Sequence, residues 1–177
     1  MKPDAEIVSK PLEWTIPRGF KPNLIVDLGV RTKFSSLQFA MLFPEAKIFS
    51  FESDRSNFLL DKNLLAYHDN IVYKYFDLGY FDLDTLIYNN ISEYASIDFI
   101  KIDVQGKEKN IFKNGGRWAN NTKYLKAKLT DYNYKEAKED LRNLGFTPYA
   151  IFADGNFYVM GEKNEDISGD TSLLRVA

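Results

Sequence analysis

NLIVDLG, residues 23–29, sets four apolar residues around a single aspartate and stops on a glycine. A short apolar run ended by a turn residue reads as a strand buried on both faces and feeding a tight turn. Downstream, Ser35 or a neighbour caps a helix to about Phe43, Pro44 closes it, and Lys47 to Phe51 forms a second strand. Strand, helix and strand in that order make a βαβ unit, whose two strands run parallel.

The alternation continues along the chain. Asp54 to Tyr67 has helical spacing, with Leu60, Leu64 and Tyr67 on one face, and Ile71 to Phe76 follows as a third strand. Asp82 is an N-cap for a short helix carrying Leu83, Leu86 and Ile87, and Ile97 to Val104 is the most strand-like segment of all. Glu108 to Asn114 fits a short helix stopped by Gly115-Gly116, and Tyr124 to Leu129 is a fifth parallel strand. Tyr134 to Leu144 is amphipathic, with Ala137, Leu141 and Leu144 on one face, Asn133 and Glu136 as a capping-box start and Gly145 as its stop. Pro148 to Ala153 and Phe157 to Gly161 flank Asp154-Gly155-Asn156, the signature of an antiparallel hairpin. The expected fold is α/β: a seven-stranded, mostly parallel Rossmann-like sheet with a C-terminal antiparallel β-hairpin. Residues 1–177 read as one domain, with 1–22 an N-terminal arm docked through Trp14, Ile16 and Phe20, and 162–177 a tail.

Composition narrows the chemistry. A formal charge of -2 gives no global attraction for nucleic acid or an anionic membrane, so neither is expected as a partner. The absence of cysteine removes disulfides, thiolate metal sites and cysteine nucleophiles. His68, the one histidine, sits at a helix end between Tyr67 and Asp69 and reads as a surface or capping residue, so no metal centre is expected. Neither a signal peptide nor a membrane span is evident, which makes the cytoplasm the expected location.

Ligands of open α/β sheets sit beyond the carboxyl ends of the strands. The residues there are Gly29, Glu52, Asp77 and Asp103. Gly29 allows a positive φ or a close backbone approach, and Glu52 follows about 20 residues later, where a carboxylate accepts hydrogen bonds from ribose hydroxyls. The pair points to a nucleoside ligand. The Gly-x-Gly-x-x-Gly loop of nicotinamide enzymes is absent.

Two separated segments, Asn23 to Leu64 and IDFIKIDVQGKE from Ile97 to Glu108, resemble the FkbM-like family of S-adenosylmethionine-dependent methyltransferases. The shared positions are Asp27, Gly29, Ser36, Phe51, Glu52 and Ile100 to Val104 with Gly106, in the family's order. The resemblance implies a class I methyltransferase fold over roughly Leu24 to Gly161, with S-adenosylmethionine as cofactor. It implies that Asp27 and Gly29 shape the methionine end of the site, that Glu52 holds the ribose and that Asp77 contacts adenine. Asp103 is the candidate catalytic carboxylate, placed to orient the acceptor hydroxyl or the cofactor amine; the alternative is that it merely caps the turn after its strand. The implied reaction is O-methyl transfer to a small-molecule acceptor such as a sugar.

The chain departs from the family at four positions. Arg31 and Lys33 replace an Asn and a Gly of the first loop, Ser53 replaces a Pro, and Gln105 replaces a Glu. S-adenosylmethionine carries a sulfonium and an ammonium against one carboxylate. Two added cations oppose its binding unless they reach that carboxylate or point to solvent. Arg31 and Lys33 therefore support a second reading, a lapsed enzyme that binds an anionic nucleotide or phosphate at the same place. Lys101 to Lys128 also holds eight basic residues against two acidic ones, either a basic surface or lysines snorkelling from solvated faces.

Overall fold

The computed structural model describes residues 6–7, 19–30, 34–77, 82–91, 93–94, 96–153 and 156–164. Its elements run β1 (Glu6–Ile7), β2 (Leu24–Leu28), α1 (Phe34–Leu42), β3 (Lys47–Glu52), α2 (Arg55–Leu65), β4 (Ile71–Tyr75) and α3 (Leu83–Ile91). They continue with β5 (Ile97–Ile102), α4 (Glu108–Lys113), α5 (Arg117–Asn120), β6 (Thr122–Leu129), α6 (Tyr134–Asn143), β7 (Phe146–Ala153) and β8 (Asn156–Lys163). All seven expected strands are present. The two-residue β1 adds an eighth, paired parallel to β7 through Glu6 with Ile151 and Ile7 with Phe152.

The sheet order is β1-β7-β8-β6-β5-β2-β3-β4, parallel except where β8 lies antiparallel between β6 and β7. β2, β3 and β4 step outward in one direction, and the chain then returns to lay β5 on the other side of β2. That reversal puts the topological switch point between β2 and β5, where sheets of this kind open a crevice beyond their carboxyl ends.

Central strands are buried on both faces, which is why they read as nearly unbroken apolar runs. Leu24, Val26, Leu28, Ile100, Ile102, Leu125 and Ala127 face a core shared with Phe112, Trp118, Ala137 and Leu141 from α4, α5 and α6. Ile25, Ile48 and Phe99 face the other core, with Phe39 of α1 and Leu65 of α2. Each valine, leucine, isoleucine or phenylalanine among them, fully removed from water, contributes on the order of 1.5 to 3 kcal/mol.

Local signals held at both ends of α6. Asn133 caps it by accepting from the Lys135 N–H at 2.9 Å, and Gly145 ends it at φ +80°. Asp82 caps α3 through the Thr85 N–H at 2.7 Å. Phe20 docks as expected, its ring edge-on to Phe43 and Tyr124 with centroids 6.0 and 5.2 Å away; Trp14 and Ile16 lie outside the described residues. The Asp154-Gly155 turn also lies outside them, and β8 runs to Lys163, two residues past the expected strand end at Gly161.

The expected apolar face of α2 is corrected. Leu60 is 77% and Tyr67 84% exposed, while Leu65 is fully buried and the Phe58 ring lies 5.0 Å from that of Tyr73 on β4. Helical spacing identifies a stripe but not its width. α2 packs over β3 and the edge strand β4, and that narrow platform accepts only the Phe58–Leu65 side. The Leu64 side chain is outside the described residues.

Asp98, at the start of β5, ties three strands together. Its Oδ2 accepts the N–H groups of Asn23 and Leu24 at 2.8 and 3.1 Å, and its Oδ1 pairs with Lys123 at 2.6 Å. Burial pushes this carboxyl up, but Lys123 and the two N–H groups outweigh it and hold it below the ordinary aspartate range. The unfolded chain therefore binds more protons in the acid range, and the contribution present near neutrality is lost as pH falls through the folded-state value. Asp98→Ala should cost about 2 to 3 kcal/mol at pH 7, chiefly by leaving two N–H groups without an acceptor. Urea unfolding should show the gap to the wild-type protein narrowing below about pH 4.

Candidate functional site

The carboxyl tips of β5, β2, β3 and β4 stand side by side, and backbone hydrogen bonds continue past their formal ends. The Asp103 N–H donates to Leu28 O at 2.9 Å, Gly29 N–H to Phe51 O at 2.9 Å and Phe76 N–H to Glu52 O at 2.9 Å. This stitching places Asp103, Gly29 and Glu52 on three adjacent strand ends around the switch point. Asp77 lies half-buried two residues past β4.

Gly29 is required by the protein's own backbone. Its φ is +76°, and a Cβ built there would lie 1.8 Å from the Asp103 carbonyl oxygen. The two strand tips meet so closely that no side chain fits between them.

Asp27 sits one layer below, fully buried, and is already engaged. Its Oδ2 accepts the Ser35 and Ser36 hydroxyls at 2.6 and 2.8 Å, and its Oδ1 pairs with Lys101 at 2.9 Å. Ser36 in turn accepts from the buried Ser50 hydroxyl at 2.9 Å. Register explains the cluster, because Asp27 stands opposite Ser50 on β3 and Lys101 on β5. The expected capping role of Ser35 is thus replaced by a bond that pins the first turn of α1 to the end of β2. Asp27 thereby ties the end of β2 to α1 and, through Lys101, to β5.

Glu52, 3% exposed, ends β3 and accepts the Asp54 N–H at 2.6 Å. On β4, two residues before Tyr75, the register partner of Glu52, Tyr73 carries a buried hydroxyl with no hydrogen-bond partner among the described residues. Burial, and then the charges of Glu52, Asp61 and Asp27, push that hydroxyl above the ordinary tyrosine range, so it stays a neutral donor at working pH.

Asp103 does not cap the turn that follows it. Glu108, fully buried, does so, accepting the Val104 N–H at 3.2 Å and the Gly106 N–H at 2.9 Å. Burial, aided by the charge of Asp103, pushes Glu108 above the ordinary glutamate range against the pull of those N–H groups. The turn it braces takes left-handed backbone at Gln105, φ +52°, and at Gly106, φ +93°. A left-handed non-glycine residue stores on the order of 1 kcal/mol. With that role filled, the half-buried Asp103 carboxylate makes no hydrogen bond or ion pair among the described residues.

Arg31 and Lys33 lie outside the described residues. Sequence reasoning gave no such role to Lys101, Ser50, Tyr73 or Glu108, and assigned Ser35 to the helix cap instead. Within the Lys101–Lys128 run, Lys101, Lys109 and Lys123 pair with Asp27, Glu136 and Asp98, and Lys126 stands over the Tyr158 ring. No group of three or more histidine, cysteine, aspartate or glutamate side chains suited to a metal occurs among the described residues. No helix among them is long and apolar enough to cross a membrane.

No protein-family model matches the chain, and no curated protein matches it in sequence. Solved structures do match in shape. A methyltransferase from Pyrococcus furiosus superposes with TM-score 0.64 at 16% identity over 86% of this chain and 79% of that one. The methyltransferase domain of METTL16 gives TM-score 0.66 at 16% identity over 83% of this chain and 61% of its own. The N-terminal domain of EvdMO1, crystallised with S-adenosylhomocysteine, gives 0.58 at 13% identity over 81% and 75%. The fold is that of the class I methyltransferases.

Proposed function

We propose that the chain is an S-adenosylmethionine-dependent methyltransferase of the FkbM-like kind, transferring a methyl group to a hydroxyl of a sugar or another small acceptor. The observation that carries this reading is the β2–β5 switch point, where Gly29, Glu52 and Asp103 stand on three adjacent strand tips and the Gly29 backbone packs against that of Asp103. The donor set fits the cofactor. Carboxylates suit ribose hydroxyls and a cationic methionine end, and the neutral Tyr73 hydroxyl adds a buried donor nearby.

Glu52 is the ribose ligand in this reading, Asp77 a contact to adenine, and Asp27 with Gly29 fixes the turn under the methionine end. When bound, S-adenosylmethionine supplies an electrophilic methyl on a sulfonium, already a good leaving system. The protein has then to align the acceptor and ease the loss of its proton. Asp103 would accept the hydrogen bond of the acceptor hydroxyl, orient it and take up its proton. What supports this role is that Asp103 follows β5 at the switch point, its backbone carbonyl against Gly29, with a half-buried carboxylate that makes no hydrogen bond or ion pair among the described residues.

Arg31 and Lys33 keep the second reading, an anion-binding relative without catalysis, open to test. Calorimetric titration with S-adenosylmethionine and S-adenosylhomocysteine at low and moderate salt should give saturable binding of both. Absence of binding to either, together with salt-sensitive binding of a nucleoside phosphate, would replace the enzyme by the anion-binding module. Restored cofactor binding in Arg31→Asn/Lys33→Gly would then locate the cause in the loop.

A further inference from the structure

We infer that Lys101 is a positioning residue of the cofactor cleft, acting through Asp27: it cancels the charge of that carboxylate and leaves it to brace α1 and the Gly29 turn. This rests on the methyltransferase reading above.

Lys101 and Asp27 are register partners on the two strands that flank the switch point, so the ion pair lies between those strands two residues before the tips at Gly29 and Asp103. The Lys101 side chain is 14% exposed and the Asp27 side chain not at all. Of the roughly four acceptor positions of a carboxylate, Asp27 fills three, one with Lys101 and two with the serines of α1. The Lys101 ammonium also lies 3.5 Å from the carbonyl oxygen of Gly29, the residue wedged against Asp103. One cation thus touches both the buried acid and the turn that shapes the site.

A buried ion pair gives little net stability compared with apolar residues of like size. Its effect here is electrostatic and local. The pair presents almost no net charge to a ligand above it, whereas either member alone would present a full one. S-adenosylmethionine and S-adenosylhomocysteine differ by the sulfonium charge, so the ratio of their affinities reads the charge under the cleft.

Dissociation constants for both ligands, measured by calorimetry on Asp27→Asn, Lys101→Met, the double variant and the wild-type protein, test the assignment. Asp27→Asn leaves an unpaired cation and should weaken S-adenosylmethionine about three- to tenfold more than S-adenosylhomocysteine. Lys101→Met should move the ratio the other way, and the double variant should return it to within about twofold of wild type. If Lys101→Met does not fold, as judged by circular dichroism, the other two variants carry the comparison. A ratio unchanged in folded Asp27→Asn overturns the role of Lys101 while wild-type binding keeps the methyltransferase reading. Wild-type protein that binds neither ligand overturns both.

Discussion

Gly29→Ala should lower the stability of the protein by about 2 to 5 kcal/mol, the largest loss expected from any substitution at the crevice. Two costs add. A residue with a Cβ at φ +76° pays on the order of 1 to 2 kcal/mol for left-handed backbone. Forcing a carbon to within 1.8 Å of the Asp103 carbonyl then pushes the β2 and β5 tips apart, an overpacking penalty of about 1 to 3 kcal/mol. In a chain of this size each kcal/mol moves the midpoint by about 2 to 4 °C, so thermal unfolding should shift down by about 5 to 20 °C. Because the displaced atoms would wall the proposed cofactor site, calorimetry on the folded fraction should also show cofactor binding weakened. A shift under 2 °C would mean that the tips part freely, and the account of the crevice as a rigid backbone contact would be wrong. Gly106→Ala is the control: its Cβ would meet nothing within 4 Å, so only the backbone cost remains.

Gly29, Glu52 and Asp103 were legible in the sequence because each ends an apolar run, and the end of a buried strand is marked by local chemistry. The pairing of Asp27 with Lys101 was not. It depends on the lateral register of strands 74 residues apart, which no short window contains. A signal was nonetheless present. NLIVDLG and FIKI each set one charge, of opposite sign, among apolar residues two positions before the strand tips at Gly29 and Asp103, and a charge in a strand buried on both faces requires a partner.

Glu108 was missed for a different reason. Asp103 precedes the turn and is the better capping residue by type, yet the backbone turns at Gln105 and Gly106 so that the longer side chain from α4 reaches back to both N–H groups. β1 was invisible because two residues carry no periodicity, and the outward side of α2 was misread because helical spacing does not reveal the width of the platform beneath it. The hairpin, α6 and the parallel alternation were readable, since caps, turns and apolar runs there point to one answer.

Asp103→Asn should reduce kcat for methyl transfer by about a hundredfold or more, within the range that positioned acid–base groups supply. The acceptor for this assay comes from a panel of monosaccharides and glycosides screened with methyl-labelled S-adenosylmethionine. The geometry permits a clean reading: the Asp103 carboxylate holds no partner among the described residues, and the turn beside it is braced by Glu108, so the substitution removes little structure. Thermal stability should therefore stay within about 1 kcal/mol of wild type. The affinity for S-adenosylhomocysteine should stay within about threefold, because Asn keeps the size and an acceptor oxygen while losing the basicity that draws off the hydroxyl proton. If binding of S-adenosylhomocysteine falls as steeply as kcat, Asp103 holds the amino group of the cofactor instead, and the base lies elsewhere. If neither changes, the carboxylate has no part in the reaction and its place at the switch point is incidental.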